Sequence, residues 1–387
     1  MTIDDIETWS ERIRERYESY LKTSFYFKDD SLRRSFEKAL QAEVSLLKGP
    51  FPEAHQKFAT GNRAHEIAAK CFRDDQAEDL LAGLMDGLLY THQEKAIDIA
   101  YNQQESLVVA TGTASGKTEC FLYPILFELY RQHLAGELVN SGVRAMILYP
   151  MNALANDQRG RLGQICRDLQ ASGSAFCPTF GQYTGLTPKN SRDHQRKAKA
   201  READRLPGEL IYRDEMQDSP PHILLTNYSM LEYLLMRPDA SPLFDKGRGK
   251  YWQYIVLDEA HQYRGAKGME MGMLMRRLKE RLRDGGRERK FQCIATSATI
   301  TSQHNGAQKE AVAEFASELF GEHIRSKSIV FGESISPKEN MTPRRYHAFL
   351  RALEGAFLVH ENGEDVVVLN RKCESKEGAT IVPLEIA

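Results

Sequence analysis

From Ile6 to about Leu81 the apolar residues recur at helical spacing, with Ile6, Trp9, Ile13, Tyr17, Tyr20 and Leu21 forming one stripe. Turn signals interrupt it at Phe27-Lys28-Asp29-Asp30 and at Gly49-Pro50-Phe51-Pro52. From about Leu88 the pattern changes to short apolar runs alternating with longer helical stretches, which predicts a parallel sheet built from crossover units. The predicted strands are Leu107 to Ala110, Ala145 to Tyr149, Thr179 to Tyr183, His222 to Leu225, Tyr254 to Leu257 and Gln292 to Ala295. Two stretches stand out for charge. The segment from Tyr183 to His222, with Lys189, Arg192, Arg196, Lys197, Lys199, Arg201 and Arg205, reads as a solvated helical insertion. The run from Arg276 to Arg283 places Leu278 and Leu282 four apart, so it reads as the end of an amphipathic helix with its charges facing water.

Composition adds limits rather than a function. A chain of 387 residues with 41% hydrophobic residues can build at least one large core. Its 52 basic and 54 acidic residues nearly cancel, so a nucleic-acid partner would need a local basic surface rather than bulk charge. The six cysteines, Cys71, Cys120, Cys166, Cys177, Cys293 and Cys373, form no C-x-x-C pair and no zinc spacing, which fits a reducing cytoplasm. An acidic start, Met1-Thr2-Ile3-Asp4-Asp5-Ile6-Glu7, does not resemble a signal peptide, and no apolar run approaches the ~18 residues needed to cross a bilayer. Neither export nor membrane insertion is expected.

The first candidate chemistry follows the run Leu107-Val108-Val109. Ala110-Thr111-Gly112-Thr113-Ala114-Ser115-Gly116-Lys117-Thr118 is a small-residue turn between a strand and a helical pattern that runs from Glu119 to Leu134. Backbone N–H groups at a helix N-terminus can surround phosphate oxygens, and small side chains let those oxygens approach. Lys117 then reaches the phosphates and Thr118 the Mg²⁺. The strict pattern G-x-x-x-x-G-K-[ST] puts its first glycine where Thr111 stands, so only Gly116-Lys117-Thr118 matches in full. The second candidate is Ile255-Val256-Leu257-Asp258-Glu259-Ala260-His261, an apolar strand ending in two carboxylates and a histidine about 140 residues later. Acid residues at the C-terminal end of a parallel strand sit where such sheets bind ligands. Asp258 suits an Mg²⁺ ion and its water shell, and Glu259 suits orientation and deprotonation of an attacking water.

Together the two elements resemble the motor of superfamily-2 helicases, whose DEAH box corresponds to Asp258-Glu259-Ala260-His261. Leu89-Tyr90-Thr91-His92-Gln93 resembles the Q motif, in which the Gln93 amide meets the adenine edge with a donor and an acceptor. The resemblance extends ATP binding to Tyr90, Gln93, Thr111 through Thr118, and Glu119. Pro150-Met151-Asn152, Tyr183-Thr184-Gly185 and Thr226-Asn227 resemble the motifs that contact a nucleic-acid backbone. Ser297-Ala298-Thr299 resembles motif III, which couples the nucleotide site to the nucleic-acid path, with His261 as the hydrogen-bonding partner of this motif.

Three details narrow the resemblance. Ala114 in the phosphate loop and Tyr263-Arg264-Gly265 after the DEAH box are familiar in MrfA-type repair helicases. Leu47-Lys48-Gly49-Pro50, the run Thr226 to Leu235 and Phe349 to Gly355 look like large bacterial helicases related to them, some of which serve phage-defence systems such as DISARM and Druantia. The resemblance implies an α/β fold, in which residues 1–82 form a helical accessory region and 83–300 a RecA-like P-loop lobe. Residues 301–387 are then a C-terminal extension leading towards a second lobe. It implies ATP and Mg²⁺ as ligands, DNA in preference to RNA, and possible defence or repair partner proteins. No Q-x-x-G-R type motif of a second lobe occurs between Thr301 and Ala387. Because a cross-lobe arginine is worth roughly 10³ to 10⁵ in turnover, the chain is expected to hydrolyse ATP poorly by itself. A non-catalytic nucleotide-gated binding or assembly module, and an RNA helicase, are the alternative readings.

Overall fold

The structure, a computed structural model, describes residues 3–41, 58–84, 87–112, 115–192, 199, 201–298 and 306–333, with short strands at 356–361, 364–369 and 380–383. It divides into two compact units, Phe58–Ser334 and a second made from Met1–Lys57 and Ile335–Ala387. In the latter, the helices Ile3–Ser24 and Asp30–Gln41 flank the turn predicted at Phe27 to Asp30. The Asp29 carboxylate accepts the N–H groups of Ser31 and Leu32 at 2.9 Å each, satisfying donors that a helix start leaves free. Strand Ala356–Glu361 pairs antiparallel with Glu364–Leu369 on one side and Thr380–Pro383 on the other. The turn at Gly49 to Pro52, the run Leu47 to Pro50, and Phe349 to Gly355 lie outside the described residues.

The Phe58–Ser334 unit begins with β1 (Thr60–Arg63), antiparallel to β2 (Leu88–Tyr90). Its eight-stranded sheet contains β3 (Leu107–Ala110), β4 (Ala145–Tyr149), β5 (Phe180–Gln182), β6 (Glu209–Leu210), β7 (Ile223–Asn227), β8 (Tyr254–Leu257), β9 (Gln292–Ser297) and β10 (Ile329–Phe331). The spatial order is β10-β3-β9-β8-β4-β7-β5-β6, and every pairing is parallel. Six of these strands coincide with the apolar runs of the sequence. Their side chains alternate between two cores: Leu107 and Val109 go to one face, and Val108 and Ala110 to the other. Both faces are covered, which is why the strands read as continuous apolar runs rather than alternating ones.

One face is covered by the helices Lys117–Leu134 and Asn152–Ala171, the other by Tyr228–Met236, Gly265–Asp284 and Gly306–Phe320. The compact unit extends beyond 83–300 in both directions. Ala64, Ile67, Ala68 and Leu80 bury in the core that holds Leu107, and Ile329–Phe331 adds a strand beside β3. Within the N-terminal stretch read as a helical accessory region, Thr60–Arg63 is a strand.

In both charged stretches most described charges face water, as with Arg192, Lys199, Arg205, Arg276, Arg277 and Arg283, but Arg201, Lys279 and Arg281 depart from the solvated reading. Glu209, on β6, is buried and receives a two-pronged bond from Arg159, Nε to Oε1 at 2.6 Å and Nη2 to Oε2 at 2.8 Å. Arg201 donates to the same carboxylate at 3.2 Å and to Gln182 at 2.9 Å, and Arg205 pairs with Glu215 at 3.2 Å. The Glu209 carboxylate, buried at the sheet edge, draws Arg159 and Arg201 inward, because an unpaired buried charge is costly. In the run from Arg276 to Arg283, Lys279 is 2% exposed, donates to the Phe320 carbonyl at 2.7 Å and pairs with Glu322 at 3.1 Å. Arg281 donates to Asp245 and to the Leu235 carbonyl. Their targets are the carbonyl ends and acids of neighbouring elements, which charge patterning alone does not reveal.

Candidate functional site

The site lies at the C-terminal ends of β3, β9 and β8, adjacent strands in the sheet. The phosphate-type loop follows β3, and the described part of it closes on itself. Thr111 Oγ1 lies 2.5 Å from Ser115 Oγ, so the residue standing in place of the motif's first glycine ties the two ends together. Thr111 N–H donates to the Ser297 carbonyl at 3.2 Å, anchoring the loop to β9. Thr113 and Ala114 lie outside the described residues. Gly116 has φ +68°, and a Cβ there would meet Gln93 Nε2 at 2.4 Å, so backbone conformation and space both demand glycine. Helix Lys117–Leu134 begins at the next residue.

Lys117 Nζ donates to the carbonyls of Thr111 and Gly112, both at 3.3 Å, and lies 3.9 Å from Glu259 Oε1. The loop and the DEAH strand, far apart in sequence, therefore face one another. Thr118 Oγ1 accepts from Gln158 at 3.4 Å. Glu119 pairs with Arg161 through one oxygen, and its other oxygen is buried without a hydrogen-bond partner.

Asp258 follows β8, and its N–H donates to the Leu148 carbonyl at 3.0 Å. Burial pushes its carboxyl above the usual carboxylate range; the Thr296 hydroxyl opposes that shift, neighbouring Glu259 adds to it and Lys117 opposes it. Glu259 adopts φ +51°, a left-handed conformation unusual for a residue with a side chain. His261 Nδ1 lies 3.2 Å from Glu259 Oε2, which nevertheless receives no aligned hydrogen bond, and 3.4 Å from Ser297 Oγ. Thr299 lies outside the described residues, so of the motif III hydroxyls only Ser297 is seen at this junction.

Two residues that motif reading passed over carry much of the geometry. Thr296, fully buried, donates to Asp258 Oδ1 while its oxygen accepts the Glu259 N–H at 3.2 Å. Its signal was a hydroxyl directly after the apolar run Cys293-Ile294-Ala295 of a buried strand. His92, also fully buried, bonds the Ser115 carbonyl through Nε2 at 2.7 Å and stacks on Tyr90 with ring centroids 5.3 Å apart. Burial lowers its pKa, against the opposing pull of the Ser115 carbonyl. Gln93 is buried rather than on the surface. Its Oε1 accepts the Tyr90 N–H at 2.8 Å and its Nε2 donates to the Gly116 carbonyl at 2.9 Å. One amide hydrogen and one lone pair are left over for other partners.

The residues assigned to a nucleic-acid backbone fall at the ends of β4, β5 and β7. Asn152 Oδ1 accepts from Asn227 Nδ2 at 2.8 Å, joining two of the three segments, and Asn227 Oδ1 caps the next helix at Met230 N. Thr226 Oγ1 donates to the Tyr183 carbonyl at 2.8 Å, joining the third. Tyr183, Thr184 and Thr226 are buried, whereas Met151 and Gly185 are exposed and Pro150 is half-buried. The buried three are engaged within the protein: Thr184 N–H donates to Thr187 Oγ1 at 2.9 Å, its carbonyl accepts from Arg213 at 2.9 Å, and the Tyr183 hydroxyl accepts from Gln217 at 3.1 Å.

The residues fit a nucleoside triphosphate and its magnesium. Among the described residues, Lys117 meets only carbonyls at long range and one carboxylate, Glu259 and Glu119 each keep an oxygen without a hydrogen bond, and Asp258 sits where one more positive charge would offset its burial. A hydroxyl and a single carboxylate suit Mg²⁺, which keeps several waters and takes its other ligands from phosphate.

A parallel sheet with a phosphate loop beside an acidic strand end defines a RecA-like P-loop lobe. The DEAD/DEAH box helicase family model matches residues 90–306, and the chain belongs to that family. It is 31% identical over 406 residues to Druantia protein DruE of Escherichia coli (strain UMEA 4076-1), an alignment covering 82% of this chain and 21% of that protein. It is 33% identical over 216 residues to the uncharacterised ATP-dependent helicase YprA of Bacillus subtilis (strain 168), covering 55% of this chain and 23% of that one. Among solved structures, the DUF1998 helicase MrfA bound to DNA superposes with a TM-score of 0.50 at 25% identity, covering 79% of this chain and 35% of that chain. The chain thus spans about a fifth of the length of these curated relatives. Among the described residues, no helix is long and apolar enough to cross a membrane.

Proposed function

We propose that this chain is the first RecA-like lobe of an ATP-driven DNA helicase or translocase. The observation that carries the reading is Lys117 Nζ at 3.9 Å from Glu259 Oε1, which brings the phosphate loop and the DEAH carboxylates into one site. Lys117 balances phosphate charge, and the N–H groups at the start of helix Lys117–Leu134 hold the phosphate oxygens. Thr118 and Asp258 would hold Mg²⁺, which when bound neutralises charge developing on the phosphates. Glu259 orients the attacking water and accepts its proton, while Thr296 fixes both acids of the site. Ser297 and His261 link this centre to β9.

The ends of β4, β5 and β7 would bind the strand through loop backbone and exposed side chains, since Tyr183, Thr184 and Thr226 are turned inward. DNA is favoured over RNA because of the likeness to a helicase solved on DNA. A second lobe supplying a cross-lobe arginine, and defence or repair proteins as partners, complete the reading. The described cysteines are free thiols, in keeping with a reducing cytoplasm.

DNA-stimulated ATP hydrolysis tests the proposal, measured on the 387-residue chain and on a chain extended to the relatives' length. The expected result is DNA-dependent turnover in the longer protein, weak turnover in the shorter, and loss of nucleotide binding in Lys117→Ala. Unchanged nucleotide binding in Lys117→Ala would overturn it. Stimulation by RNA alone would favour the RNA reading. Nucleotide-dependent DNA binding without turnover in the longer protein would favour the gated module.

A further inference from the structure

At the opposite edge of the sheet, where the strands begin, lies a polar cavity of about 370 Å³. Its wall is formed by residues just before β4, β8 and β9 and by the later turns of helix Lys117–Leu134. Two guanidiniums line it that are almost completely buried, Arg144 at 1% exposure and Arg287 at 8%. Arg144 donates to Gln132 Oε1 at 3.1 Å and to the carbonyls of Gly142 at 2.7 Å and Glu137 at 3.3 Å. Arg287 donates to the carbonyls of Arg289 at 3.0 Å, Lys250 at 3.1 Å and Lys290 at 2.7 Å.

All six acceptors are neutral. A guanidinium carries five N–H groups, so each arginine keeps two beyond these bonds. Among the described residues no carboxylate hydrogen-bonds to either one. Glu128, in the same wall, is hydrogen-bonded to Arg131 and Gln132 and acts on Arg287 only through space, as the exposed Glu137 carboxylate does on Arg144. Burial pulls both guanidiniums down to about 10. Cations taken out of water without a hydrogen-bonded counter-charge are costly, and these two border an open cavity. The exposed Lys250 and Arg289 add positive charge to the rim and the exposed Glu137 and Glu288 add negative charge; with Arg131 and Glu128 paired to each other, Arg144, Arg287, Lys250 and Arg289 outnumber the two remaining acids.

We propose that this cavity is an anion site that takes a small phosphate-bearing ligand of pyrophosphate size on the spare N–H groups of Arg144 and Arg287, with Lys250 and Arg289 at its rim. Paired, planar donors match phosphate oxygens. A nucleic-acid backbone is the weaker candidate, because a strand rides on exposed cations and the principal donors here are buried in a concavity. The site is independent of the motor reading, since it shares no residue with the phosphate loop.

Calorimetric titration of the 387-residue chain with inorganic pyrophosphate tests this, in saturating ADP and separately in Lys117→Ala, so that the phosphate loop does not supply the signal. One site is expected to persist under both conditions, and to weaken at least tenfold in Arg287→Gln and in Lys250→Glu/Arg289→Glu. The second variant changes only exposed side chains and remains informative where the first fails to fold. Absence of binding, binding lost in Lys117→Ala, or binding unchanged in Lys250→Glu/Arg289→Glu overturns the proposal. So does a site that binds a single-stranded oligonucleotide through Lys250 and Arg289 but no pyrophosphate.

Discussion

The Thr296 hydroxyl donates to the carboxylate of Asp258, and the same oxygen accepts the backbone N–H of the next residue, Glu259. One buried side chain thus sets the position of both acids. Thr296→Val keeps the shape and removes the donor and the acceptor, leaving two polar groups unpaired, at a cost of about 1–3 kcal/mol each if they stay dry. The expected outcome is a lower kcat and a roughly tenfold higher Mg²⁺ requirement, about 1.4 kcal/mol, with ATP binding little changed. Thr296→Ser should restore both. A Val variant with wild-type Mg²⁺ dependence would reduce Thr296 to a packing residue.

Glu259 sits in the left-handed region at φ +51°, with one carboxylate oxygen 3.9 Å from Lys117 Nζ and the other without a hydrogen bond. Strain held at a polar side chain in this way is typical of functional positions. Glu259→Gln preserves shape and removes the proton acceptor. ATP affinity is expected to stay within about threefold while turnover, measured on a chain extended to the relatives' length, falls by about 10² or more, in the range for loss of a general base. Equilibrium nucleotide binding and steady-state hydrolysis on the same preparation check the split, and undiminished turnover would remove Glu259 from this role.

The sheet was legible because strands buried on both faces appear as uninterrupted apolar runs, and six such runs became β3, β4, β5, β7, β8 and β9. β6 was not legible: Glu209–Leu210 is two residues long, and Glu209 is held inside by Arg159 rather than by hydrophobicity. β10 is three residues far downstream whose partner, β3, is fixed only by the tertiary fold. The site's motifs were visible as spacing, since Gly116-Lys117-Thr118 and Asp258 through His261 each follow an apolar strand. Thr296 and His92 gained their roles from what lies across from them, and sequence order does not contain that. The misreading of Lys279 has the same cause, because its target, the Phe320 carbonyl, belongs to another helix.

Gly116 combines φ +68° with a hypothetical Cβ 2.4 Å from Gln93 Nε2. Gly116→Ala should cost about 1–2 kcal/mol for the left-handed backbone alone. Displacing Gln93 from the Gly116 carbonyl adds to this. The Gln93 contribution is separable: in a Gln93→Ala background that clash disappears, while the backbone cost and the 3.1 Å contact with Glu119 Oε2 remain. Denaturant unfolding of the four proteins in a double-mutant cycle should give a coupling of about 0.5 kcal/mol or more. Additive effects would mean that Gln93 moves aside freely.

His222, at the start of β7, is held neutral by its surroundings. Nδ1 accepts the Thr179 N–H at 3.0 Å, and Nε2 meets the Leu138 carbonyl at 3.2 Å, so the ring satisfies one donor and one acceptor only in its neutral form. Burial, reinforced by nearby Arg144, lowers it from 6.5 to about 4. The unfolded chain therefore takes up a proton below pH 6.5 that the folded chain refuses until about pH 4. The stability this ring confers is complete above pH 6.5 and is lost progressively as the pH falls to about 4. Asn keeps an acceptor near the Nδ1 position without titrating. Between about pH 7 and pH 5, wild type should lose about 2 kcal/mol more unfolding free energy than His222→Asn, since each tenfold difference in proton affinity between the folded and unfolded chains is worth about 1.4 kcal/mol. Parallel pH profiles for the two proteins would show that His222 is protonated in the folded state, and that the Thr179 contact yields before the ring does.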